Sequence, residues 1–338
     1  MMPRVSVVMP CFNAAASVGR AVRSVLGQTL DDWELVVVDD GSDDGSAEAA
    51  EAAADGDERV RVWRRDHEGV VGASNFGFGR ARGELIARMD ADDVSLPERL
   101  EKQVGLLDAA GDLGAVSCLT RFAGNEVEAG GYAHHVAWTN EAASAEEIAL
   151  RRFVDLPVPH PTLMYRRELV ERFGGYRDGG FPEDYEMVLR WLDGGVRIGR
   201  VAEVLYDWHD PPGRLSRTDE RYAMMAFHET KAPYLARAIE AAGCGDRELW
   251  ICGAGRPARK CARPLEAAWK PASGFIDADP AKVGRVIHGR VVVSAEDLPT
   301  AERAVIVSYV GTRGAGGRIR AQLCAAGRVE GVDFWLAA

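Results

Sequence analysis

Residues 83–100 read GELIARMDADDVSLPERL. "GELIARMD" carries a short apolar run and reads as a strand, and Pro97 opens a helix at its first turn. Between them Asp90, Asp92 and Asp93 crowd into four positions. Like charges side by side repel, so water, a helix start or a cation must offset them. The flanking sequence repeats the unit. "RVSVVMP" (4–10) predicts a strand, 17–27 a helix, "WELVVVDD" (33–40) a strand, "GSDDGS" (41–46) a turn and helix start, "RVRVWRR" (59–65) a strand, and 70–81 a helix. "LGAVSCLT" (113–120) is a fifth strand. This alternation predicts an α/β fold with a mostly parallel sheet between helices.

Ligands of parallel sheets bind at the carboxyl ends of the strands. Two of these strands end in acids, Asp39-Asp40 and Asp90-x-Asp92-Asp93. Either cluster alone reads equally as a turn or a cap. Parallel strands would set both on one rim, where Mg2+ or Mn2+ with phosphate oxygens would relieve the repulsion.

Beyond about residue 125 the pattern loosens, and "GNEVEAGGYAHHVAW" (124–138) is ambiguous. A helix is expected over 144–153, a strand over 162–166, a helix over 184–193, a strand over 200–208, a flexible loop over 209–219 and a helix over 220–242. "ELWICGAGRPARK" (248–260) then begins a fresh strand, glycine loop and helix. The expected organisation is a domain over 1–219, a helical linker over 220–245 and a small α/β domain over 246–338.

Charge divides the same way. The chain has 338 residues and a net charge of −11; residues 249–338 carry 13 Lys and Arg against 8 Asp and Glu, and the rest 28 against 44. An acidic first part argues against nucleic acid as a partner. No apolar run approaches the ~18 residues of a membrane span. No cleavable leader is expected at the N-terminus, and six scattered cysteines without a CxxC pair suit a reducing cytoplasm. Peripheral membrane association and a homodimer stay open.

"VSVVMPCFNAAASVGRAVRSVLGQTLDDWELVVVDDGSDDGS", "GVVGASNFGFGRARGELIARMDADD" and "FPEDYEMVLRW" together resemble family 2 glycosyltransferases of the GT-A fold, over roughly residues 3 to 217. The resemblance implies a nucleoside-diphosphate sugar donor, UDP- or dTDP-linked, a divalent cation, a hydroxyl acceptor and inversion at the anomeric carbon. It places Pro10 and Asn13 in the loop against the nucleotide and Asp40 at the base. Asp90 and Asp92 match the DxD motif, Asp92 as the metal ligand, while Asp93 is a supporting residue. Glu183 and Asp184 match the acceptor-side pair, with Asp184 as general base. His160 matches a histidine on the acceptor side, His209 one near the metal or diphosphate, and Arg214 a loop cation for the diphosphate. Asp184 reads also as a helix cap, and His160 and His209 also as packed polar residues. His67 and Glu68 stand where many members carry Asn and Gly or Gln. Met187 replaces the Gln of the QxxRW motif, which suits an enzyme adding a single sugar. A non-catalytic nucleotide-sugar binder is the alternative. "LWICGAGRPARK", with Asp277 after a later strand, resembles a Rossmann-type unit; the loop "VGTRGAGGR" (310–318) reads as a phosphate cradle or a plain glycine turn.

Overall fold

The computed structural model describes residues 2–125, 129–211 and 213–338. The chain divides into two compact units, one formed by Met1–Ala149, Pro157–Asp178 and Arg190–Thr218, the other by Leu150–Leu156, Gly179–Leu189 and Asp219–Ala338.

The first unit is built on an eight-stranded sheet. Its strands are β1 (Val5–Cys11), β2 (Trp33–Asp39), β3 (Val60–Arg64), β4 (Leu85–Arg88), β5 (Val94–Ser95), β6 (Leu113–Phe122), β7 (Met164–Arg166) and β8 (Arg197–Trp208), in the spatial order β3-β2-β1-β4-β7-β6-β8-β5. β3, β2, β1 and β4 run parallel, β7 runs against both β4 and β6, β6 and β8 are parallel, and β5 runs against β8. β2 is buried along its whole length, as a strand covered on both faces must be. Its side chains alternate: Leu35 and Val37 join the large core with Val7, Met9, Val22 and Val25, while Val36 and Val38 pack with Ala73 on the other face. The helix Gly69–Arg80 comes close to the sheet because Gly77 carries no side chain; a Cβ there would sit 2.5 Å from Val8 Cγ1.

Two segments gain detail from the structure. Gly130–Asn140, within the ambiguous stretch, is a helix. Glu126, Val127 and Glu128 of that stretch, and Pro212 of the loop after β8, lie outside the described residues. In that loop, expected to be flexible, Arg217 binds Asp210 at 2.6 Å, the Tyr132 and Ser216 hydroxyls meet at 3.0 Å, and Leu215–Thr218 forms a helical turn.

The second unit holds β9 (Glu248–Cys252), β10 (Ala272–Ile276), β11 (Val286–Ile287), β12 (Arg290–Val293), β13 (Ala304–Ser308) and β14 (Phe334–Leu336), ordered β11-β12-β10-β9-β13-β14. β12, β10, β9, β13 and β14 are parallel, and β11 turns back on β12. Gly253 follows β9 with φ 109°, and a Cβ there would lie 2.7 Å from Ala258 Cβ, so the loop into the helix Arg256–Ala268 closes only around glycine. Asp277 accepts the amides of Ala254 and Asp279, each at 2.9 Å, and Lys282 at 3.2 Å. Its carboxylate ties the loop down.

Candidate active site

The parallel ladders decide which acids meet. β1 pairs Cys11 with Asp39 of β2 and Val8 with Arg88 of β4, so Asp40 and Asp90 both lie just past the carboxyl ends of strands flanking β1. Asp40 is 2% exposed. Its carboxylate accepts the amides of Glu68 at 3.0 Å and Gly69 at 2.9 Å, where the helix Gly69–Arg80 begins, and His67 Nδ1 stands 2.9 Å from Oδ2. Asn13 takes a left-handed φ of 47° after half-buried Pro10; its amide donates to Ser42 Oγ at 2.9 Å and its Oδ1 accepts the Asp43 amide at 3.2 Å. The two loops are thus stitched together on either side of Asp40. Phe12, an exposed aromatic, lays its ring on His67 with centroids 4.2 Å apart.

Asp90, Asp92 and Asp93 converge, with one carboxylate oxygen of each within 4.8 Å of the others. Arg88 Nη2 binds Asp90 Oδ1 at 2.7 Å, and the Asp90 amide donates to the Tyr206 hydroxyl at 3.3 Å. Arg20 Nη2 holds the Asp92 carbonyl at 2.8 Å. Asp93 is fully buried; Oδ1 accepts the His209 amide at 2.7 Å, and Oδ2 has no hydrogen-bond partner. Burial, then the neighbouring Asp90, pushes the Asp92 carboxyl up to about 6, against the pull of Arg214 and Arg88. Burial followed by Asp92 and Asp90 holds the Asp93 carboxyl well above the usual carboxylate range. Burial would depress the Arg88 guanidinium, but Asp90, Tyr176 and Tyr206 keep it above its ordinary value. One arginine paired to one of three acids leaves a surplus of negative charge. A buried carboxylate oxygen without a donor is what a hard, oxygen-preferring divalent cation fits.

The expected neighbours take unequal places. Arg214 stacks its guanidinium 3.9 Å from the Trp208 ring centroid and donates to the His209 carbonyl at 2.9 Å. His209 comes to the acids through its backbone amide, while its Nδ1 stands 3.3 Å from the Asp207 carbonyl. Burial, then Arg20, lowers the His209 imidazole below its ordinary value. His160 is buried in the turn His160–Thr162 with Nε2 against the Tyr176 hydroxyl and Nδ1 without a partner. Burial, then Arg88, lowers it to about 3, so it is neutral.

In the second unit Glu183 and Asp184 open the helix Glu183–Asp193. The Tyr222 hydroxyl lies 2.8 and 2.7 Å from the two oxygens of Glu183, which is only 6% exposed. Asp184 Oδ1 accepts the amide of Tyr185 at 2.7 Å. Burial, then Asp184 and Glu183, raises the Tyr222 phenol. Sequence reasoning missed Phe12, Arg88, Tyr206 and Tyr222. An arginine two residues before the acids was a usable signal, since a cation in a buried strand needs a counter-charge; the three aromatics gave none.

Residues 6–174 match the family model described as Glycosyl transferase family 2. The chain is similar to the succinoglycan biosynthesis protein ExoO of Rhizobium meliloti (strain 1021), 33% identical over 242 residues, covering 68% of this chain and 68% of that protein. Among solved structures it resembles TarS 1–349 of S. aureus in complex with UDP-GlcNAc, with a TM-score of 0.56, 17% identity and 78% and 71% of the two chains covered. It also resembles the mannosyltransferase PcManGT from Pyrobaculum calidifontis in complex with GDP-Man and Mn2+, with a TM-score of 0.50, 24% identity and 79% and 69% covered. The structures agree in fold and the sequences in family: this chain belongs to glycosyl transferase family 2 and is a nucleotide-sugar-dependent glycosyltransferase on a GT-A fold.

Proposed function

We propose that the protein moves one sugar from a UDP- or dTDP-sugar to an acceptor hydroxyl with inversion, in the cytoplasm, during assembly of a surface polysaccharide or other glycoconjugate. The observation that carries this reading is the trio Asp90, Asp92 and Asp93, crowded within 4.8 Å with only the Asp90 carboxylate ion-paired to an arginine. The role of ExoO in succinoglycan biosynthesis supports the polysaccharide setting. Among the described residues no helix is long and apolar enough to cross a membrane.

Asp92 is the principal carboxylate for Mg2+ or Mn2+, with Asp93 behind it. When bound, the cation neutralises the diphosphate and stabilises it as a leaving group. The chain's own groups do the rest. Asp40 uses part of its acceptor capacity on the amides of Glu68 and Gly69; a carboxylate has about four acceptor sites, which leaves room for a nucleobase N–H. Pro10 and Asn13 shape the loop beside it. Arg214 swings from Trp208 to pair with the diphosphate. Asp184, in the first helical turn, accepts the acceptor hydroxyl's proton as that oxygen attacks the face opposite the leaving group. Glu183 is anchored by Tyr222 and steadies that turn on the acceptor side. In the first unit His160 serves as a neutral hydrogen-bonding group.

The test is Asp184→Asn. Loss of a general base costs about 10²- to 10⁴-fold in the chemical step. Donor affinity by calorimetry should stay near the parent value while turnover collapses. A helix cap predicts unchanged turnover, because Asn caps about as well as Asp. Proton NMR of the product reads the anomeric centre, and retention would exclude a single displacement.

A further inference from the structure

Behind Asp90 runs a buried chain of side chains drawn from distant parts of the first unit. Arg88, the last residue of β4, is 4% exposed. Its Nη2 binds Asp90 Oδ1 at 2.7 Å, its Nη1 binds the Met89 carbonyl, and Tyr176 is among the neighbours that hold its guanidinium above its ordinary value. Tyr176 also meets His160 through its hydroxyl and stacks on Phe78 with ring centroids 5.3 Å apart. Asn75 clamps the Tyr176 backbone from both sides, accepting its amide and donating to its carbonyl, each at 2.9 Å. Arg190 holds the preceding turn through the carbonyls of Phe173, Gly174 and Gly175, the last two at 3.1 and 2.8 Å. The turn admits only glycine at 175, where a Cβ would fall 2.2 Å from Asn75 Oδ1.

We propose that Arg88 is a positioning residue of the donor site, braced by Tyr176. It ties one oxygen of Asp90 and holds that carboxylate in a single orientation, leaving its other oxygen for the cation-bound nucleoside diphosphate. This rests on the donor-site reading above. A planar guanidinium bonds in several fixed directions at once, which a lysine ammonium on a flexible stem cannot reproduce. The geometry also gives Asn75 and Arg190 a shared task, the seating of Tyr176. It separates positioning from mere charge balance, since balance needs only a cation nearby.

The experiment measures UDP, dTDP and GDP affinity in the presence of Mn2+ by calorimetry on the full chain, with melting temperatures alongside. Outer-shell partners of metal sites are typically worth about 10- to 100-fold in affinity. Arg88→Met and Arg88→Lys should each weaken nucleotide binding by that amount. In an Asp90→Asn background Arg88→Met should add nothing further, because both changes remove the same oriented carboxylate. Tyr176→Phe, which deletes one hydroxyl, should keep the fold and weaken binding several-fold; it carries the test if the Arg88 variants do not fold. Parent affinity in Arg88→Lys or Tyr176→Phe, or additive losses in the double variant, would overturn the positioning role while leaving the donor site intact. Binding of none of the three nucleotides by the unmodified protein would instead overturn the donor-site reading and this inference with it.

Discussion

Replacing Asp92 by Asn should make the cation-free protein more stable at alkaline pH and deprive it of its cation response. Two unit charges 4.8 Å apart repel by ~3 kcal/mol at an effective dielectric constant near 20. Burial and Asp90 move the Asp92 carboxyl from 3.8 to about 6, equivalent to ~3 kcal/mol. Water reaching the partly exposed side chain reduces this to about 1–3 kcal/mol. Below about pH 4 the carboxyl is protonated in folded and unfolded chains alike, and the native state keeps the full stability associated with this group. That stability is lost as the pH rises through about 6, where the folded protein gives up its proton. Asn mimics the protonated form at every pH, so the part of the slope that belongs to this carboxyl should vanish in Asp92→Asn. Urea unfolding in EDTA at about pH 8 should show the variant more stable by about 1–3 kcal/mol, or roughly 2–10 °C in melting temperature. Near pH 4 the two proteins should coincide. With Mn2+ and UDP at about 100 times Kd the parent gains ~2.7 kcal/mol, and the variant should gain almost nothing. A less stable variant at alkaline pH without cation, or an equal response to Mn2+ and UDP, would refute the reasoning.

Gly77→Ala should destabilise the first unit by about 1–3 kcal/mol in thermal unfolding, because the new methyl meets Val8 Cγ1 at 2.5 Å and the helix must back away from β1. That loss should outweigh the up to ~1 kcal/mol that alanine contributes to a helix interior. Gly253→Ala should lower the melting temperature of the second unit, since it combines a φ of 109° with a Cβ 2.7 Å from Ala258. NAD+ should leave the melting curve of the unmodified protein unmoved, because Asp277 is already engaged by Ala254, Asp279 and Lys282; a saturable upward shift would show that this carboxylate exchanges those partners for a ribose.

What the sequence by itself determined was local and periodic. The β-branched run of 33–39 specifies a strand buried on both faces, and the acids at 39–40 and 90–93 mark where strands stop. Parallel α/β alternation then sets the two clusters on one rim, since every strand of a parallel set ends on the same side. Tertiary structure decided what each acid does there, because its partners arrive from far along the chain. Asp40 became a buried acceptor only when the amides of Glu68 and Gly69 folded onto it. Asp93 acquired one partner, the amide of His209, 116 positions away, and kept one oxygen bare. Glu183 reads as an acceptor-side acid in sequence, and only the fold brings the Tyr222 hydroxyl onto both its oxygens. Arg88 is one more arginine in an ordinary composition until the fold buries it and leaves Asp90 as its counter-charge. Periodicity reports which face of an element is apolar. The protonation and orientation of a carboxylate depend on burial and charges within a few ångströms, and only the packed chain supplies those.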